Sequence, residues 1–90
     1  MNAKDRRRAQ RSETKSLWRQ EWFVLDMMNQ KRFLGYTFHE RKEDLGDFYN
    51  LHIGVDEDSY ILGEMVEVDI KVVEAKRLLE DTLYGIISED

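Results

Sequence analysis

Residues 17–32, LWRQEWFVLDMMNQKR, carry the first decision about the fold. At about 100° per residue, Leu17, Trp18, Trp22, Val24, Leu25 and Met28 gather on one broad face, with Arg19, Gln20, Asp26 and Gln30 outside it. This spacing predicts an amphipathic helix of about four turns ending near Arg32, where Lys31 and Arg32 suit the negative end of the helix dipole. Glu21 falls inside the apolar sector, and Phe23 with Met27 form a second apolar strip. Exposed together with Trp18 and Trp22, that strip would serve a partner or a second copy of the chain.

Downstream the period changes. In residues 33–42 (FLGYTFHERK), Leu34, Tyr36 and Phe38 alternate with Gly35, Thr37 and His39. Residues 48–55 (FYNLHIGV) repeat the alternation with Tyr49, Leu51, Ile53 and Val55. Both read as half-buried antiparallel strands. The link between them holds Asp44, Leu45, Gly46 and Asp47, which is hairpin chemistry with Gly46 free to take a positive φ. Matching apolar faces sets Leu34 opposite Val55, Tyr36 opposite Ile53 and Phe38 opposite Leu51. After a turn at residues 56–59, the valine-rich alternation of residues 60–73 predicts a third strand, bulged near Gly63 and Glu64. From Glu74 onward, Ala75, Leu79, Thr82, Leu83 and Ile86 form a helical stripe.

Working upstream, residues 1–16 (MNAKDRRRAQRSETKS) hold no apolar residue larger than alanine after Met1, so they read as a basic flexible arm. The expected fold is therefore α+β, a single small domain over residues 17–90 preceded by that arm. Its order is α-β-β-β-α, an antiparallel three-stranded meander with two helices packed on one face. Trp18, Leu25, Phe38, Ile53, Val68 and Leu79 are expected to point inward.

Composition excludes several kinds of function. Ninety residues allow one domain, and 41% hydrophobic content is enough for a small core. The absence of cysteine excludes disulfides, thiolate metal sites and cysteine nucleophiles. No run reaches the roughly 18 apolar residues of a membrane span, so a soluble, cytoplasmic protein without membrane attachment is expected. The five glycines form neither a phosphate-binding loop nor a dinucleotide fingerprint. His39 and His52 would share the outer face of the expected hairpin, yet no third ligand stands at a defined spacing. The reading is a non-enzyme with no catalytic residue, no metal and no cofactor.

Charge is the stronger signal. Residues 1–42 hold eleven Lys/Arg against five acids, a net +6, whereas residues 43–90 hold three against fourteen, a net −11. The overall −5 thus hides a dipolar chain, and such asymmetry suggests interaction surfaces. An acidic surface repels nucleic acid and attracts the basic clefts of proteins that bind it. Asp44, Asp47, Asp56, Glu57 and Asp58, with Glu67 and Asp69, are the candidate docking residues. The expected function is a small acidic binding protein that modulates or inhibits a larger, nucleic-acid-handling protein. One alternative is a nucleic-acid-binding accessory protein that tracks phosphates with Arg6, Arg7, Arg8, Arg11 and Lys15. A further alternative is a homo-oligomeric structural component joined through Trp18, Trp22, Phe23 and Met27, with a homodimer as its simplest form. A basic arm ahead of an αβββα body with acidic turns resembles, in size, charge and element order, some small phage-encoded inhibitors, including certain anti-CRISPR proteins. That resemblance implies an inhibitor of a larger host or defence protein.

Overall fold

The computed structural model describes residues 13–53 and 59–88. Its elements are β1 (Thr14–Leu25), β2 (Lys31–His39), α1 (Asp44–Phe48), a π-helical turn (Tyr49–Ile53), β3 (Tyr60–Lys71), α2 (Val72–Thr82) and β4 (Ile87–Ser88). The class is α+β: one antiparallel four-stranded sheet in the order β3-β1-β2-β4, with helical segments against it.

The expected first helix is a strand. Residues 14–25 alternate, but both faces of the strand are covered, so apolar side chains point both ways: Leu17 and Phe23 to one face, Trp18 and Trp22 to the other. Such a two-sided strand lacks the apolar–polar rhythm that distinguishes a half-buried one. The turn that splits residues 17–32 is built by Asp26. Its Oδ1 accepts from the Met28 N–H (2.8 Å) and the Gln30 N–H (2.9 Å), and Asn29 takes φ 59°. Asp and Asn are suited to these two tasks. β1 begins at Thr14, so three residues read as arm belong to the sheet.

The expected second strand is helical, which overturns the three-stranded meander and its register. β2 pairs with β1, setting Tyr36 against Glu21 and Phe38 against Arg19; Ile53 and Leu51 lie in the π-helical turn, and Val55 lies outside the described residues. Gly46 sits in α1, not at a positive φ. The αβββα order that supported the resemblance to phage inhibitors is therefore absent. The third strand and the last helix are present, but the helix begins at Val72 and ends at Thr82, so Val72 and Val73 leave the expected strand and Leu83 and Ile86 the expected helix. The β3 irregularity falls at Gly63 and Glu64, where Gln20 pairs with Met65 and Trp22 with Leu62, leaving one extra residue in β3. Side chains of β1 satisfy the backbone groups freed there. Gln20 Nε2 donates to the Gly63 carbonyl (2.9 Å), and the Glu64 N–H donates to Glu21 Oε1 (3.1 Å).

One sheet face carries Leu17, Tyr36, Phe38, Val68 and Ile70, closed by Ala75, Leu78 and Leu79 of α2 and by Ile87 of β4. The other carries Trp22, Thr37 and His39, closed by Phe48 of α1. Among the described residues only Leu17, Trp22, Phe38, Phe48 and Ala75 are fully buried apolar side chains. Of the expected core, Phe38 is buried, Val68 and Leu79 pack against it, and Trp18 and Ile53 are half-buried. Leu25 is 36% exposed at the hairpin tip.

Gly35 is where β4 approaches β2. At φ +157°, a Cβ here would lie 1.9 Å from the Ile87 carbonyl oxygen, which is backbone and cannot step aside. Gly35→Ala should therefore detach β4 and cost on the order of 2 kcal/mol in urea unfolding. Gly46→Ala, with nothing within 4 Å of the new methyl, should be neutral or stabilising by up to about 1 kcal/mol. Equal effects of the two changes would contradict the β2–β4 packing.

Candidate functional site

The covering of the Trp22 face creates the site. Three rings enclose the Trp22 indole: Phe48 at 5.4 Å, Tyr49 at 6.1 Å and Tyr60 at 6.3 Å between centroids. Its Nε1–H donates to Thr37 Oγ1 (2.8 Å), and Thr37 Oγ1 lies 2.7 Å from His39 Nε2. An indole N–H is only a donor, so the Thr37 hydroxyl accepts from Trp22; its second lone pair and its own proton are both free for the His39 Nε2 contact, whose direction follows the imidazole tautomer. Burial lowers the His39 pKa below the ordinary 6.5, with the Asp44 carboxylate opposing the shift. The 2.7 Å hydroxyl–imidazole pair has the spacing of a nucleophile and its base. However, Thr37 is 0% exposed and already holds the Trp22 proton, so the pair serves the packing in this arrangement.

Phe48 separates the two histidines, with ring centroids 5.8 Å from His39 and 4.6 Å from His52. Beside it opens a cleft of about 440 Å³ between α1 with its π-helical turn on one side and α2 on the other. Phe38, Phe48, Leu51, Leu79 and Leu83 give it an apolar lining. Leu51 is 77% and Leu83 69% exposed, so two leucines present their apolar side chains to solvent at the cleft. Around them stand Glu40, Asp44, Asp47 and Glu80, four carboxylates against one ammonium, Lys76. Glu40 is engaged by Lys15 at 3.3 Å and Asp44 by Arg41 at 3.1 Å, both pairs solvent-exposed. Asp47 and Glu80 have no ion-pair partner among the described residues.

The structure thus brings Asp44 and Asp47 to the cleft but places Glu67 and Asp69 on β3, across the sheet. Asp56, Glu57 and Asp58 lie outside the described residues, as do Arg6, Arg7, Arg8 and Arg11. Lys15, from the basic group, is the ion-pair partner of Glu40. The aromatic strip is dispersed: Trp22 is fully buried, Trp18 lies under the Lys42 ammonium (4.4 Å), Phe23 faces the opposite side under Lys31 (4.4 Å), and Met27 projects from the hairpin turn. Among the described residues no three His, Cys, Asp or Glu side chains converge as a metal site, and no helix is long and apolar enough to cross a membrane. Leu51, Leu83 and Glu80 were not legible as site residues, because the cleft depends on residues 49–53 being helical. The acids Asp44 and Asp47 flanking Gly46 were the one available signal.

No family model, curated protein or solved structure matches the chain, so the chemistry of the cleft is the ground for a functional reading.

The His39 network has a pH consequence. The folded state holds His39 neutral while the unfolded chain protonates near 6.5, so the unfolded state binds more protons as pH falls below that value. Stability should be complete above about pH 6.5–7 and decline as pH drops from there toward the lowered folded pKa. Urea unfolding between pH 7.5 and 5.5 checks this. His39→Gln, whose amide can donate to or accept from Thr37, should reduce the slope; an unchanged slope would assign the pH dependence elsewhere.

Proposed function

We propose that this protein is a non-enzymatic docking module whose cleft receives a basic amphipathic segment of a larger, nucleic-acid-handling protein and thereby modulates it. The observation that carries this reading is the pairing of a leucine- and phenylalanine-lined cleft with a surround of four carboxylates and one lysine. An apolar groove takes the apolar face of a helix, and the surrounding carboxylates select lysine and arginine on its polar flank. Proteins that handle nucleic acid are rich in such segments, because the cations that meet phosphates also meet carboxylates. The acidic docking inferred from the charge distribution thus centres on Asp47 and Glu80, with Asp44 and Glu40 beside them already bridged to Arg41 and Lys15. The scattered tryptophans weigh against a self-association strip.

A leucine–lysine amphipathic helical peptide is the direct probe, followed by the protein recovered from source cells by affinity capture. Asp47→Asn, Glu80→Gln and Leu51→Ala change exposed side chains and should leave the fold intact. Combined, they should weaken peptide binding about tenfold or more, chiefly through association rate, and reduce its salt dependence. The captured protein should be displaced by the peptide and by nucleic acid. Equal binding by parent and triple variant would remove the cleft from consideration.

A further inference from the structure

β3 forms one margin of the sheet for twelve residues, paired to β1 on one side and, among the described residues, to nothing on the other. An unpaired strand edge of this length is a template for another strand. Between residues 65 and 71 its two faces differ sharply. Met65, Glu67, Asp69 and Lys71 share the side of Trp18, while Val66, Val68 and Ile70 share the side that α2 covers. On the α2 side an open groove of about 580 Å³ has Val68 and Ile70 of the edge strand and Leu78 of α2 as its apolar members and Arg19, Lys71 and Glu74 among its polar ones.

A second copy of β3 is a poor occupant. Antiparallel pairing about a two-fold axis that keeps the apolar side continuous must centre on a single residue. Centred on Glu67, it sets identical carboxylates against each other; centred on Val68, it sets Glu67 against Asp69 twice. Centred on Asp69, it opposes two carboxylates on the axis and, although Glu67 then meets Lys71 twice, the ladder spans only residues 67–71 before the strand ends. Centred on Met65 or Val66 it runs into the Gly63–Glu64 bulge, and centred on Ile70 it reaches the end of the strand one residue later. The chain's own residues 4–11 (KDRRRAQR) supply cations but nothing larger than alanine for the groove.

We propose that the outer edge of β3 accepts an extended segment of another protein as an added strand, its side chains alternating between apolar and cationic. The apolar set enters the groove beside Val68, Ile70 and Leu78. The cationic set lies on the opposite side, against Glu67 and Asp69. Backbone hydrogen bonds to the free edge supply the affinity, and the alternation supplies the selectivity. This edge is separate from the cleft, and the two readings stand or fall independently.

An alternating valine–lysine peptide of about eight residues is titrated into the full chain, with amide chemical shifts followed by NMR. The expected result is a set of shifts confined to residues 65–71 and the adjoining part of α2, abolished by a scrambled sequence of equal composition. Glu67→Lys with Asp69→Lys should weaken binding about tenfold or more. The decisive arm uses the unaltered protein. In an antiparallel strand alternate amides face one neighbour, so N-methylation of one alternate set should abolish binding and methylation of the other should leave it intact. Equal binding by both methylated peptides, shifts centred on Phe48, Leu51 and Leu83, or no binding at millimolar peptide would each overturn the proposal.

Discussion

The Trp22 indole is the constraint around which the rest is arranged. It is the largest fully buried side chain, and it carries a proton that must be given to an acceptor inside the protein. Thr37 on the neighbouring strand accepts it at 2.8 Å, and the same hydroxyl is hydrogen-bonded in turn to His39 Nε2. A buried donor left without a partner costs about 1–3 kcal/mol, a large part of what so small a domain has in reserve. The indole also needs cover, and residues 48–53 coil over it, bringing Phe48 and Tyr49 onto it.

That choice has structural consequences on both sides of the sheet. Because a helical turn covers one face and α2 the other, β2 is bordered by two helical segments where a strand would be expected. Its exposed edge is satisfied piecemeal: β4 pairs with Gly35 and Tyr36, and the Thr82 hydroxyl accepts the Phe38 N–H at 3.1 Å. The space between the two covers becomes the cleft. The opposite margin, β3, has no such cover among the described residues, and its carboxylates deter self-pairing. One cleft with an acidic surround and one acidic edge follow from the same economy of covering material.

Parts of this architecture were readable from residues alone. In β3, valines alternate with charges, and α2 follows at once with Ala75, Leu79 and Thr82 of its expected stripe on the dry side, although Leu83 and Ile86 lie beyond its end. The bulge was legible too, since Gly63 interrupts the strand pattern, although β1 is as long as β3 and overrun of a shorter partner is not its cause. β1 was not legible, because a strand buried on both sides loses its alternation, and Leu17, Trp18, Trp22 and Leu25 fit a helical wheel as well as a pleat. The Asp26–Asn29 turn was the local clue that favours the hairpin. Residues 48–53 failed for the opposite reason: Tyr49, Leu51 and Ile53 alternate well, yet their neighbour Phe48 was needed against Trp22. Of the site, Asp44 and Asp47 were legible as acids, while their meeting with Leu51, Leu83 and Glu80 was not.

By itself, then, the sequence determined an α+β chain with a small core, a valine-rich strand running into an amphipathic helix, and a surplus of carboxylate in its second half. These are properties of composition and local period, and neighbouring residues are enough to express them. Tertiary structure alone decided that residues 14–25 are the central strand, that residues 48–53 coil, and that Asp47 and Glu80, 33 positions apart, border one cleft. The reason is that each depends on which distant side chain needs covering, and the buried indole, not any local propensity, sets that demand.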